Sequence, residues 1–161
     1  MIILGVDPGS RAMGWGVVRF RPDGQLIHLD HGVFRTTTSS EFPQRLAAIY
    51  DEIRRICLHW EPTVAAVEDV FQHKNVRSAM VLASARTSAL LALVHCSVQV
   101  FSYTPSQVKQ SVTGSGRAEK HQVGEMVRFL LALEEVPPSD AGDALGVALC
   151  HGMRAPSLGD P

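Results

Sequence analysis

Residues 1–34, MIILGVDPGSRAMGWGVVRFRPDGQLIHLDHGVF, hold three apolar runs in close succession. Met1 to Val6 is continuous and is closed by Asp7-Pro8-Gly9. Gly14 to Phe20 carries Trp15, Val17 and Val18, and Leu26 to Phe34 carries Ile27, Leu29 and Val33. Short runs rich in β-branched and aromatic residues predict strands. Pro22-Asp23-Gly24, between the second and third runs, is a tight-turn signal and makes those two an antiparallel hairpin. The opening of the chain therefore reads as a three-stranded meander.

Downstream the hydrophobic period changes from two to between three and four. Ser39-Ser40-Glu41 supplies an N-cap and an acidic first turn, and Leu46, Ile49, Ile53 and Ile56 then mark one buried helical face. Thr63 to Val67 predicts a buried strand ending at Glu68-Asp69. A second long helix is predicted from Asn75 to Val94, with Met80, Ala83, Thr87, Leu90 and Val94 as its buried stripe. Its small residues, among them Ala79, Ser84, Ala85, Ser88, Ala89 and Ala92, suit close packing against a neighbour or a second subunit. Val98 to Phe101 predicts another strand, and the stretch after Thr104-Pro105-Ser106 a short helix. Gly114-Ser115-Gly116 predicts a loop, and Glu119 to Leu133 a third long helix. Pro137-Pro138-Ser139 starts a last helix from Asp140 to about Met153. The order predicts an α/β fold with a five-stranded mixed sheet, three antiparallel strands followed by parallel ones, flanked by helices. It is expected to be a single domain over residues 1–154, with 155–161 a short flexible tail.

The composition is that of an ordinary globular chain. It has 161 residues, 45% hydrophobic and 19% charged, with 15 Lys and Arg against 16 Asp and Glu. No uninterrupted apolar run approaches the ~18 residues of a membrane span. The first residues lack the basic and apolar regions of an export signal, so the expectation is a cytoplasmic protein with no membrane partner. Cys57, Cys96 and Cys150 are odd in number and far apart, which fits buried reduced thiols better than a disulfide framework or a zinc site.

Four carboxylates stand at telling places. Asp7 and Glu68 end two predicted strands, and ligand sites of α/β sheets gather at carboxyl ends. Asp140 and Asp143 share one face of a helix start. Singly, each has an ordinary explanation: a turn residue, a strand end, or acids favoured by the helix dipole. Together they would crowd like charges unless a cation sat between them. An all-oxygen ligand set favours Mg²⁺ or Mn²⁺. Two such ions per site suit in-line phosphodiester hydrolysis.

ILGVDPGSRAMGWGVV, VAAVEDVFQHKN, QVKQSVTGSGRAEKHQV and SDAGDALGVALCH resemble, in order and spacing, segments of the RuvC family, bacterial Holliday junction resolvases of the RNase H-like superfamily. The likeness runs from Ile2 to about His151. It implies an RNase H-like fold with Asp7, Glu68, Asp140 and Asp143 as the catalytic, metal-binding acids. It also implies a homodimer that cuts a four-way DNA junction by two symmetric nicks, leaving 5′-phosphate ends, in recombination and repair. A branch-migration motor of RuvA and RuvB is the partner expected from the same resemblance. Lys109 and Lys120 align with family positions near the active site, where an ammonium could contact the scissile phosphate or stabilise its developing charge.

Candidate DNA contacts surround these acids. Phe71, in the polar stretch Phe71-Gln72-His73-Lys74-Asn75, is a candidate wedge that stacks on bases at the junction centre. Lys74 and Arg77 on the same rim, and Ser115 and Arg117 in the glycine loop, are phosphate-contact candidates. His73 and His121 are possible phosphate neighbours. His151 could orient an acid or satisfy carbonyls at its helix end, and Asp69 reads as a solvated acid in preference to an outer partner of the metal site. Between Asp69 and Glu134, excluding both, seven Lys and Arg face two acids, a local net of +5 that the overall charge of −1 conceals. A catalytically silent junction-binding subunit and a nuclease acting on RNA–DNA hybrids remain as alternative readings. A nucleotide-binding domain of the sugar-kinase type would need two such lobes.

Overall fold

The three apolar runs form the strands expected of them. β1 (Ile2–Asp7), β2 (Ala12–Phe20) and β3 (Leu26–Arg35) pair antiparallel in sequence. The structure, a computed structural model, describes residues 1–37, 39–69 and 75–158, with side chains through Arg154. Then follow α1 (Phe42–Trp60), β4 (Val64–Glu68), α2 (Val76–His95), β5 (Gln99–Tyr103), α3 (Pro105–Thr113), α4 (Lys120–Leu130) and α5 (Ser139–Leu158). The sheet order is β3-β2-β1-β4-β5, and β4 lies parallel to both β1 and β5. The two strand ends bearing Asp7 and Glu68 are thus neighbours, the condition on which the acidic site depended.

Strand alternation divides the core in two. Ile3, Val18, Ala66 and Tyr103 face α3, α4 and α5, whereas Leu4, Val6, Trp15, Val17, Ala65 and Val67 face α1 and α2. Asp7 follows Val6 and Glu68 follows Val67, so the period of two turns both acids to the α5 side. α5 itself is buried along Ala141, Ala144, Leu145, Val147, Ala148, Leu149 and Cys150. It lies unusually close to the sheet because glycines floor its track. A side chain at Gly14 would overlap the Asp140 carbonyl, one at Gly5 the Ala144 carbonyl, and one at Gly16 the Leu145 side chain.

Several sequence expectations need correction. On α2 the buried residues are Ala85, Ser88, Ala89, Ala92 and Leu93, while Met80 and Val94 are exposed. The small residues are the core face, because they let the helix sit tightly on the sheet and on α1, where the Ser88 hydroxyl donates to the Leu46 carbonyl at 2.6 Å. By length and composition α2 could cross a bilayer, although Arg77 and Arg86 interrupt it. It lies instead along the sheet. α1 starts at Phe42 after Glu41, whose side chain makes no capping hydrogen bond. α4 stops at Leu130, and Ala132 takes a left-handed φ of 51°. Leu131 and Leu133 continue the apolar pattern by packing from a turn. α5 runs to Leu158, past the helix end at about Met153 read from the sequence. Cys57 and Cys150 are buried as expected, and Cys96 is half-buried.

The glycine track makes a direct prediction. Gly14→Ala should lower unfolding stability by about 1–3 kcal/mol or more, because neither backbone can yield. Gly124→Ala meets only the end of the Val136 side chain, at 3.2 Å, and should cost far less. Urea unfolding of the two variants against the unaltered chain measures both.

Candidate active site

Three elements deliver four acids to one end of the sheet. β1 and β4 carry Asp7 and Glu68 at their carboxyl ends, and the first turn of α5 carries Asp140 and Asp143. Each of Asp7, Asp140 and Asp143 has a carboxylate oxygen within 4.8 Å of the other two. Glu68 joins them through a hydrogen bond shared with Asp7.

Burial and mutual repulsion dominate the electrostatics. Burial, then the charges of Glu68, Asp143 and Asp140, push Asp7 up to about 8 from an ordinary 3.8, against the pull of Lys120. Burial and then Asp143 raise Glu68, opposed by Lys120, the Asp7 hydrogen bond and Lys109. Burial raises Asp143 too, although the Lys120 hydrogen bond counters it. Lys120 Nζ stands 2.6 Å from Asp143 Oδ2. Burial works against the Lys120 charge, but the Asp143 bond and charge, then Asp7 and Asp140, carry its pKa upward.

Burial and mutual repulsion favour a proton shared within the Asp7–Glu68 pair near neutrality. Such a partly protonated cluster of hard oxygen donors fits a divalent cation, which would relieve the repulsion and release the proton. Without His or Cys among the donors, Mg²⁺ and Mn²⁺ are the ions that suit it. Beside the acids, a cavity of about 290 Å³ opens between α4 and α5, bordered by Lys120, His121, Pro137 and Asp143.

Of the residues singled out from sequence, the structure gathers Asp7, Glu68, Asp140, Asp143 and Lys120. Lys109, on α3, is near enough to act on Glu68 and Asp143 through its charge. Ser115 and Arg117 are exposed in the α3–α4 connection, where the Arg117 N–H donates to Ser115 Oγ at 3.4 Å. They border a separate shallow groove with Gln122 and Glu125. Arg77 is exposed on the first turn of α2, its N–H capped by Asn75 Oδ1. Phe71, His73 and Lys74 lie outside the described residues. His121 is exposed and 3.4 Å from Glu119 Oε2.

Two residues stand otherwise than expected. His151 is buried and takes neither proposed role: its Nδ1 shares a 2.8 Å hydrogen bond with the Tyr103 hydroxyl, and its ring packs on Phe101. Burial pushes its pKa down, which keeps it neutral. Asp69 is not simply solvated, since its Oδ1 is 3.4 Å from an Arg86 terminal nitrogen and its N–H donates to the Tyr103 carbonyl at 2.8 Å. Arg86 was missed from sequence, where it is one of two arginines in an otherwise uncharged helical stretch.

Comparison with known proteins agrees with this geometry. Residues 3–151 match the family model of the crossover junction endodeoxyribonuclease RuvC. A RuvC from Citrifermentans bemidjiense is 48% identical over 155 residues, covering 96% of this chain and 94% of that one. The Thermus thermophilus RuvC structure superposes with a TM-score of 0.89 at 33% identity, covering 98% of this chain and 97% of the other. The same protein in complex with Holliday junction substrate gives 0.92 at 33% identity, covering 98% and 96%. With the family model matched over residues 3–151 and nearly the whole length aligned at 48% identity, this chain belongs to the RuvC family of crossover junction endodeoxyribonucleases.

Proposed function

We propose that this protein is a divalent-metal-dependent endonuclease that resolves four-way DNA junctions by paired, symmetric nicks. The observation that carries the reading is the convergence of Asp7, Glu68, Asp140 and Asp143 at one sheet end with Lys120 against them. The substrate class follows from the T. thermophilus relative, whose structure holds a Holliday junction. Intact acids favour an enzyme over a silent binding subunit, and that relative favours a DNA junction over an RNA–DNA hybrid.

In this reading Asp7, Glu68, Asp140 and Asp143 would hold two Mg²⁺ ions, for which Mn²⁺ could substitute. When bound, such ions supply an activated water and screen charge on the scissile phosphate. The chain's own residues do the rest. Asp7, whose pKa the other three acids raise, would give up its proton to a bound cation and serve as one of its ligands. Lys120 and Lys109 present ammonium groups to the phosphate as its charge develops; water adds to phosphorus as the P–O3′ bond breaks, leaving 5′-phosphate and 3′-hydroxyl ends. Phe71, Lys74, Arg77, Ser115 and Arg117 remain our candidates for holding DNA around the cut.

A four-way junction has approximate two-fold symmetry, which a two-fold dimer matches with two sites. A groove of about 600 Å³ between α1 and α2, lined by Leu46, Tyr50, Met80, Ala83, Thr87 and Leu91, is our candidate for that dimer contact. Met80 and Leu91 are 66% and 50% exposed in the single chain, an uncommon cost for large apolar side chains unless a partner covers them. The corresponding setting is the cytoplasm, in recombination and repair, with RuvA and RuvB as the motor partners.

Three outcomes test this reading. Asp7→Asn should retain junction binding and lose nicking by more than about 100-fold, since even an outer partner of a metal ligand is worth about 10- to 100-fold. A gel of a labelled four-way junction, with Mg²⁺ or EDTA and beside an RNA–DNA hybrid, measures it. The second outcome concerns pH. Because folding raises the Asp7 pKa to about 8, its contribution is greatest in acid and is lost as pH rises from about 4 to about 8. In EDTA the unaltered protein should therefore lose Tm across that window relative to Asp7→Asn, and Mg²⁺ should raise its Tm most at the alkaline end. Third, Met80→Glu with Leu91→Glu should halve the mass seen by light scattering and uncouple the two nicks.

A further inference from the structure

Arg86 lies midway along α2 and reaches the carboxyl end of β4. Its Nε donates to the Glu68 carbonyl at 3.2 Å, and one terminal nitrogen donates to Ser102 Oγ at 2.7 Å and stands 3.4 Å from Asp69 Oδ1. One planar fork thus joins the last residue of β4, the residue after it and the neighbouring strand β5.

The face it occupies defines what it can do. Ser102 is the register partner of Val67, which belongs to the core beneath α1 and α2. The guanidinium therefore lies on the α2 side, whereas the Glu68 side chain points to the α5 side with the other acids. Arg86 meets Glu68 only at its backbone.

That backbone needs a donor. The pairing of β1 with β4 ends at Val6 and Val67, so Glu68 stands one residue past it. The Asp69 N–H faces β5, donating to the Tyr103 carbonyl. In a trans peptide the Glu68 carbonyl then points the opposite way, toward β1. The next residue on that side is Pro8, which has no N–H with which to extend the ladder. Arg86 supplies the missing hydrogen bond from beneath the sheet.

We propose that Arg86 is a positioning residue, which clamps the end of β4 from behind and so sets where the Glu68 carboxylate stands relative to Asp7 and Asp143. Asp69 is the counter-charge that keeps the guanidinium in place. The inference rests on the metal-nuclease reading above. It assigns Arg86 no contact with substrate or ion; the residue acts through Glu68 alone.

The test titrates Mg²⁺ against two readouts, junction nicking and the rise in Tm of the DNA-free protein. Arg86→Lys keeps the charge but not the planar fork. It should raise the Mg²⁺ concentration for half-maximal effect about 10- to 100-fold in both readouts, the range for outer partners of metal ligands. Junction binding in EDTA should be unchanged. Asp69→Asn leaves the bonds to Glu68 and Ser102 and should shift the midpoint less. Should Arg86→Lys fail to fold in EDTA, Ser102→Ala, which removes one arm of the clamp, should show the same shift to a smaller extent. Unchanged Mg²⁺ midpoints in the folded variants would overturn the proposal. An Asp69→Asn shift as large as that of Arg86→Lys would also overturn it, by making the effect one of charge. Failure of the unaltered protein to respond to Mg²⁺ in either readout would instead overturn the metal-nuclease reading itself.

Discussion

The close seat of α5 on the sheet is the constraint from which the rest of the site follows. Gly5, Gly14 and Gly16 let the helix backbone approach β1 and β2 so nearly that a methyl group at Gly14 would strike the Asp140 carbonyl. The first turn of α5 therefore lands beside the end of β1, and the helix cannot slide or lift without opening the core along Leu145, Ala148 and Leu149. Packing that is otherwise ordinary hydrophobic burial becomes a positioning device. It holds Asp140 and Asp143 next to Asp7, a place to which their own charges would not bring them.

The electrostatic consequence is a site under internal tension. Burial raises Asp7, Glu68 and Asp143 together, and Lys120 relieves only part of the repulsion. A metal-free carboxylate cluster of this kind lowers the stability of the charged state, and the fold tolerates it because the cost is spread over a large, glycine-floored core. The same tension makes the cluster receptive to a divalent cation. The neutral Tyr103–His151 pair lies along the same helix without adding charge, its hydrogen bond satisfied inside the core.

Helix α2 joins two parts of the molecule that sequence position keeps apart. On one face Ala85, Ser88, Ala89 and Ala92 pack inward, and Arg86 braces the strand end bearing Glu68. On the other, Met80 and Leu91 border the apolar groove shared with α1. Their helical spacing alone could not say which side was core. Small and large apolar residues occur all round the helix, so the periodic signal is weak, and the buried stripe runs through Ala85, Ser88, Ala89, Ala92 and Leu93 rather than through Met80, Ala83, Thr87, Leu90 and Val94. Asp69 and His151 were misread for a related reason: their partners, Arg86 and Tyr103, are far away in sequence.

By itself the sequence determined the meander, the alternation of helices and strands, and the identity of the four acids. Those features are local: Pro22-Asp23-Gly24 makes a turn, apolar runs make strands, and Asp7 and Glu68 end theirs wherever the strands are placed. The glycines at positions 5, 14 and 16 were visible as letters but not as a track, because their purpose is clearance for a helix more than 120 residues later in the chain. Only the tertiary structure decided that β1 and β4 are neighbours, that α5 sits on those glycines and that Arg86 meets the Glu68 carbonyl. These are through-space relations set by packing and register, and no spacing along a chain encodes them.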